Sequence, residues 1–104
     1  MIGEFEYLLI TAAVKLDANA YGASIRTLIE EATGSSCSVG ALYTTMDRLE
    51  RKGFIKTWMG GATAERGGRA KRLVKVTPQG IQAAHAFYKA IQNVSRGVKW
   101  ETAS

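Results

Sequence analysis

Cysteine, histidine and proline occur once each in this chain, as Cys37, His85 and Pro78. A single cysteine excludes an internal disulfide, and with one histidine beside it no convincing protein zinc site can be assembled. No apolar run approaches the ~20 residues that a membrane-spanning helix requires. The N-terminus, MIGEFEYLLI, carries Glu4 and Glu6 where an export signal would carry Lys or Arg, so a cytoplasmic chain is expected. A GxxxxGK[ST] phosphate loop is missing. His85 has no nucleophile near it in sequence, Cys37 reads as a small turn residue, and the acid pairs at helical spacing read as surface groups. No enzyme, cofactor or metal is expected from this inventory.

Acidic residues are scarce in one part of the chain only. Met1 to Cys37 holds two basic residues against five acids, net −3, whereas Ser38 to Ser104 holds twelve against four, net +8. Such segregation gives the molecule a side that suits a polyanion. Nucleic acid is favoured over a membrane surface, because no lipid-inserting basic helix accompanies the charge. The 104 residues suffice for one domain with a modest core, and 46% hydrophobic and 22% charged residues are ordinary for a folded protein.

Periodicity predicts four helices and two strands, a mainly α chain with a small β-hairpin. A first helix runs from Gly3 to Asp17. Phe5, Leu8, Leu9, Ala12 and Leu16 form one apolar stripe on it, and Tyr7, Ile10 and Val14 form another on the opposite side. A helix apolar on two faces is central to a core or shared with a partner, and in so small a domain the partner is expected. Ala18 to Gly22 is a link with one or two strand residues. A second helix, Ala23 to Thr33, ends at Gly34, where a left-handed residue is wanted. Ser36 or Ser38 caps a third helix that ends at Gly53. Strands follow at Phe54 to Met59 and Lys71 to Thr77. Thr77 caps a last helix, with Pro78 at its first position, running to about Lys99.

The third helix carries the informative pattern. Val39, Leu42, Met46 and Leu49 make an apolar stripe. Opposite them stand Ser38, Gly40, Ala41, Tyr43, Thr44, Thr45 and Arg48, which are small, hydroxyl-bearing or basic, with no acid before Asp47. An ordinary core helix with a polar back would more often carry long charged side chains there. Short neutral groups suit a surface that approaches another macromolecule closely. Helix, tight turn, helix is the order of a helix-turn-helix, and two strands joined by a glycine loop after it describe a β-hairpin wing. In that loop and the strand after it, Arg66, Arg69, Lys71, Arg72 and Lys75 surround Gly67 and Gly68. Glycines allow close backbone approach, and the cations can reach phosphates or a minor groove.

These stretches resemble the PadR family of bacterial winged-helix transcriptional regulators over about Gly3 to Gly80. The resemblance rests on GEFEYLLI near the start, AYG at Ala20 to Gly22, SVGALYTTMDRLERKGFI at Ser38 to Ile55, ERGGRAKR at Glu65 to Arg72, and the TPQG start of the last helix. It implies a winged helix-turn-helix domain over residues 1–77 and a dimerisation helix and tail over 78–104. It also implies a homodimer on double-stranded DNA with an inverted-repeat operator, commonly as a repressor. Carried onto this sequence, it places Tyr43 and the Ser38 to Thr45 face in the major groove or on its phosphates, and Arg66 and Arg69 at the wing tip. Arg48 and Lys52 are then expected at phosphates, and Lys71 and Arg72 with the wing. Longer family members follow the last helix with further helices, so this chain resembles a compact member.

The last helix is apolar over about half its circumference, wider than one packed neighbour needs. A subunit contact is therefore expected from Tyr7, Ile10 and Val14 on the first helix and Phe87, Tyr88, Ile91, Val94 and Val98 on the last. The alternative is that the two helices pack on each other within one chain. The family resemblance also implies a ligand site, since some compact relatives bind flat aromatic molecules at the dimer interface. Tyr88, Phe87 and Trp100, with Tyr7 across from them, are the candidates here for a small aromatic effector. Two further readings stand beside DNA binding: a winged helix that meets an acidic protein, and an aromatic sensor for which DNA is secondary.

Overall fold

The computed structural model describes residues 1–60 and 70–101. Its elements are α1 (Glu4–Leu16), a 3₁₀ turn (Asp17–Asn19), α2 (Gly22–Thr33), α3 (Val39–Arg51), β1 (Ile55–Gly60), β2 (Lys71–Val76) and α4 (Pro78–Ser95). Four helices with a two-stranded antiparallel hairpin make the α+β winged-helix class that the sequence predicts.

Local chemistry sets the boundaries. The Gly3 N–H donates to the Glu6 carboxylate at 2.9 Å and starts α1. Gly34, at φ +72°, closes α2 in the left-handed conformation that glycine adopts without a Cβ penalty. Ser38 is the cap of α3, its Oγ accepting from the Ala41 N–H at 3.0 Å. Thr77 caps α4 by accepting from the Gly80 N–H at 3.1 Å, and its hydroxyl donates to the Gly53 carbonyl at 2.7 Å. One side chain thus starts α4 and ties it to the turn between α3 and β1.

The core is built around α1, which touches α2, α3, α4 and β2. Leu9 and Ile10 meet Ile25 and Ile29 of α2, Leu42, Met46 and Leu49 of α3, and Ile55 and Val74 of the hairpin in one buried cluster. This corrects the expectation for Ile10, which is 0% exposed and cannot face a second subunit. The two apolar faces of α1 reflect a central helix wrapped on several sides. Tyr7 and Phe87, also expected at a subunit contact, stack on each other within the chain with ring centroids 4.8 Å apart. They belong to the seam between α1 and α4.

The hairpin pairs Ile55 with Val76 through to Gly60 with Lys71. The link before α2 lies against the hairpin, since the Val74 N–H donates to the Ala20 carbonyl at 2.9 Å and Tyr21 forms a single antiparallel bridge to Leu73. This matches the one or two strand residues expected there. The last helix ends at Ser95, short of the expected Lys99, because the backbone turns away at Arg96 and Gly97 takes φ +82°. Val98 and Trp100 therefore lie beyond the helix. No helix among the described residues is long and apolar enough to cross a membrane.

Candidate nucleic-acid interface

The angle between α2 and α3 is fixed at the turn that joins them. The Cys37 N–H donates to Glu30 at 2.9 Å, and the Arg26 guanidinium donates to the Cys37 carbonyl. Arg26 and Glu30 lie 3.8 Å apart on α2, so one ion pair holds both polar groups of the residue before the α3 cap. Burial, and then the Glu30 charge, push the Cys37 thiol up, with Arg26 opposing. The buried thiol stays protonated and serves the turn.

Leu42, Thr45, Met46 and Leu49 form the inward face of α3. Thr45 was expected on the outward face, but it sits three residues after Leu42 and follows it into the core. Val39 shows the reverse correction: it is 50% exposed, although it shares the apolar stripe of Leu42 and Met46. The outward face presents Ser38, Gly40, Ala41, Tyr43, Thr44 and Arg48. Tyr43 leans back on α2, its ring so close to Gly22 that a Cβ there would overlap it. The AYG motif of the sequence thus provides the seat for a recognition-helix tyrosine.

The basic residues at the end of α3 and the start of β2 divide into two groups. Arg48 and Arg51 are exposed on α3 and form no ion pair among the described residues. Sequence reasoning missed Arg51; its place one turn beyond Asp47 on the outward face is the signal that would have found it. The other group is engaged within the chain. Lys52 forms a 2.8 Å ion pair with Glu6 of α1. Burial would raise the Glu6 pKa, but the Gly3 amide, Lys52 and Arg48 outweigh it and hold the carboxyl below its ordinary value. Lys71 lies 4.2 Å over the Tyr21 ring. Arg72 reaches Asp47 at 2.8 Å and Glu50 at 3.3 Å. The Thr57 hydroxyl foremost, with its amide and Arg72, holds Glu50 below its ordinary value against the opposing effect of burial. Lys52, Lys71 and Arg72 were expected to meet DNA, and in this structure their cationic groups face their own chain. The expected contacts at Arg66, Gly67, Gly68 and Arg69 lie outside the described residues.

A second surface lies on α4. Gly80 is its only buried residue, pressed against the Phe54 carbonyl so that a Cβ would collide with it. Ile81, Tyr88, Ile91 and Val94 are exposed. With Tyr7, Thr11, Val14, Ala84 and His85, Ile81 and Tyr88 line a shallow groove of about 290 Å³ between α1 and α4. Trp100 does not line it; at 81% exposure it stands apart, so Tyr88 and Trp100 do not form one pocket within the chain. A cleft of about 620 Å³ runs between the end of α1 and the hairpin, flanked by Val14, Trp58, Leu73 and Lys75. No group of side chains among the described residues could hold a metal ion.

The model of the transcriptional regulator PadR-like family matches residues 12–86. No curated protein matches the sequence. Among solved structures, a PadR family transcription regulator from Clostridium difficile is 25% identical, with a TM-score of 0.67, and the match covers 91% of this chain and 100% of that one. A PadR-like transcriptional regulator from Bacillus cereus is 18% identical, with a TM-score of 0.73 over 90% of this chain and 86% of that one. A winged-helix DNA-binding protein from STIV is 12% identical, with a TM-score of 0.72 over 93% of this chain and 97% of that one. Members of the matched family are transcriptional regulators and not enzymes. With its winged helix and a family match over most of its length, the chain belongs to the PadR-like family of transcriptional regulators.

Proposed function

We propose that this regulator is a repressor that binds a specific double-stranded DNA sequence, an inverted repeat, as a homodimer. The observation that carries the reading is the outward face of α3. Beside the half-exposed Val39, its first two turns offer only small or hydroxyl-bearing groups, Tyr43 among them, while Arg48 and Arg51, without an acidic partner among the described residues, stand on its last two turns. Short side chains let the helix enter a major groove, and the arginines meet phosphates at its edge. The wing residues Arg66 and Arg69 join this surface on the strength of the sequence. The exposed apolar face of α4 supports the dimer, because four large apolar side chains on one helix are more than an isolated surface helix needs. Repression follows the commoner habit of the family.

Duplex binding measured across salt concentration tests this directly. Wild-type affinity is expected to fall steeply with salt, and Arg48→Ala with Arg51→Ala is expected to reduce the log–log slope by about 1.8, or ~0.9 for each phosphate no longer neutralised. Thr44→Ala should weaken binding to a selected operator more than to random DNA. A salt-independent affinity, or none, would favour the competing class, a winged helix that docks an acidic protein.

A further inference from the structure

Asp47 is the first acid on a recognition face whose earlier residues are all neutral. At about 100° per residue it projects between Tyr43 and Gly40 and within roughly 60° of Thr44. Glu50 follows three residues later, on the Tyr43 side. Two free carboxylates here would stand against the phosphates of any duplex that the helix entered. They are not free. The Arg72 guanidinium crosses from β2 and places Nη2 at 2.8 Å from Asp47 Oδ1 and 3.3 Å from Glu50 Oε1. Its Nε donates to Thr57 Oγ1 on β1 at 3.2 Å, and the Thr57 hydroxyl and amide donate in turn to Glu50 at 2.7 and 3.0 Å. The cation is also the most enclosed member of the cluster, with its side chain 20% exposed against 54% for Asp47 and 41% for Glu50.

From this geometry we infer that Arg72 does not contact DNA and is a positioning residue. It masks the carboxylates of the recognition helix and fixes the wing against that helix. A planar guanidinium can hold two carboxylates and a hydroxyl at once, which a lysine ammonium on a flexible stem does less well. The position in a basic stretch beside a glycine loop, which reads as part of a phosphate clamp, is used instead to cancel charge. The inference rests on the DNA-binding reading above.

The test uses the full chain, a random-sequence duplex and a selected operator, with affinity read by fluorescence anisotropy over a range of salt. Arg72→Gln keeps an amide within reach of Thr57. Asp47→Asn and Glu50→Gln keep the acceptor oxygens while removing both charges. Arg72→Gln alone should bind about tenfold more weakly on both duplexes, because two nearby carboxylates are then unmasked. Adding Asp47→Asn and Glu50→Gln to it should restore affinity to within about threefold of wild type, at the wild-type salt slope. A triple variant that stays as weak as Arg72→Gln, with a slope shallower by about 0.9, would make Arg72 a phosphate ligand and overturn the inference. So would wild-type affinity in Arg72→Gln alone. Absence of salt-dependent binding by the wild-type chain would remove the DNA-binding reading itself. Thermal unfolding of each variant, compared with wild type, separates weaker binding from a weakened fold.

Discussion

The phenol ring of Tyr43 rests on the backbone of Gly22, leaving no room for a Cβ. A residue on the outward face of α3 therefore also holds α3 against the start of α2. Gly22→Ala should destabilise the fold by about 1–3 kcal/mol, the usual range for overpacking. Tyr43→Ala in the same background should recover part of that loss, because it removes the ring that the new methyl meets. Urea denaturation of the four chains of this cycle checks the coupling. Strictly additive effects would mean that the two residues do not touch.

Gly80 offers a sterner version of the same constraint. A Cβ there would meet the Phe54 carbonyl and the Val76 side chain. The carbonyl accepts the Thr77 N–H at 3.0 Å, next to the cap that starts α4. A ring can rotate aside, whereas a carbonyl fixed by that bond cannot. Gly80→Ala is expected to lower the thermal midpoint more than Gly22→Ala does. The reverse order would mean that the α4 start is the more compliant junction.

Which of these features the sequence disclosed depended on how far apart the partners lie. Ser38, Thr77, Pro78 and Gly34 act on backbone within a few residues, so their roles as caps and terminators are legible locally. The rotation of α3 is legible only in part. Leu42, Met46 and Leu49 point inward as their spacing predicts, but Val39 and Thr45 change places, because the packed partners decide which flank of a stripe is covered. Ile10 fails for a related reason: a helix with two apolar faces fits a subunit contact and a central position equally well from its own periodicity. Long-range ion pairs are invisible in the sequence. Lys52 and Glu6 are 46 residues apart, so Glu6 reads as a dipole partner at the start of α1 and Lys52 as a free cation. Arg72 likewise counts as positive charge available to a ligand until the structure shows two acids of α3 holding it.

The Glu6–Lys52 pair makes a pH prediction. The folded pKa of Glu6 lies below its unfolded value, so the folded state binds fewer protons there. The stabilisation is complete above the unfolded pKa, about 4.3, and is lost as pH falls through the lower folded value. Wild type should therefore lose stability below about pH 4.3, and Glu6→Gln should show a shallower acid limb. At neutral pH Glu6→Gln should cost about 1–3 kcal/mol, since it leaves Lys52 and the Gly3 amide with a weaker acceptor. Lys52→Met should also lower stability while leaving the salt slope of DNA binding near wild type. A slope reduced by about 0.9 would return Lys52 to the phosphates.

The exposed face of α4 separates folding from assembly. Ile91 is 51% and Val94 81% exposed, so neither contributes much to the core of its own chain. Replacing both by glutamate should leave the thermal midpoint of the isolated chain within a few degrees of wild type. Across a subunit contact the same change buries unpaired charge and creates like-charge repulsion. Sedimentation should then show a monomer where wild type sediments as a dimer. Binding to an inverted repeat should fall steeply in the double variant, whereas binding to a single half-site should change little, because α3 is untouched. Ile10→Val provides the contrast: its side chain lies in the core, so it should lower stability by about 0.5–1.5 kcal/mol and leave the assembly state alone. A monomeric wild-type chain, or a double glutamate variant that remains dimeric, would place the subunit contact elsewhere or remove it.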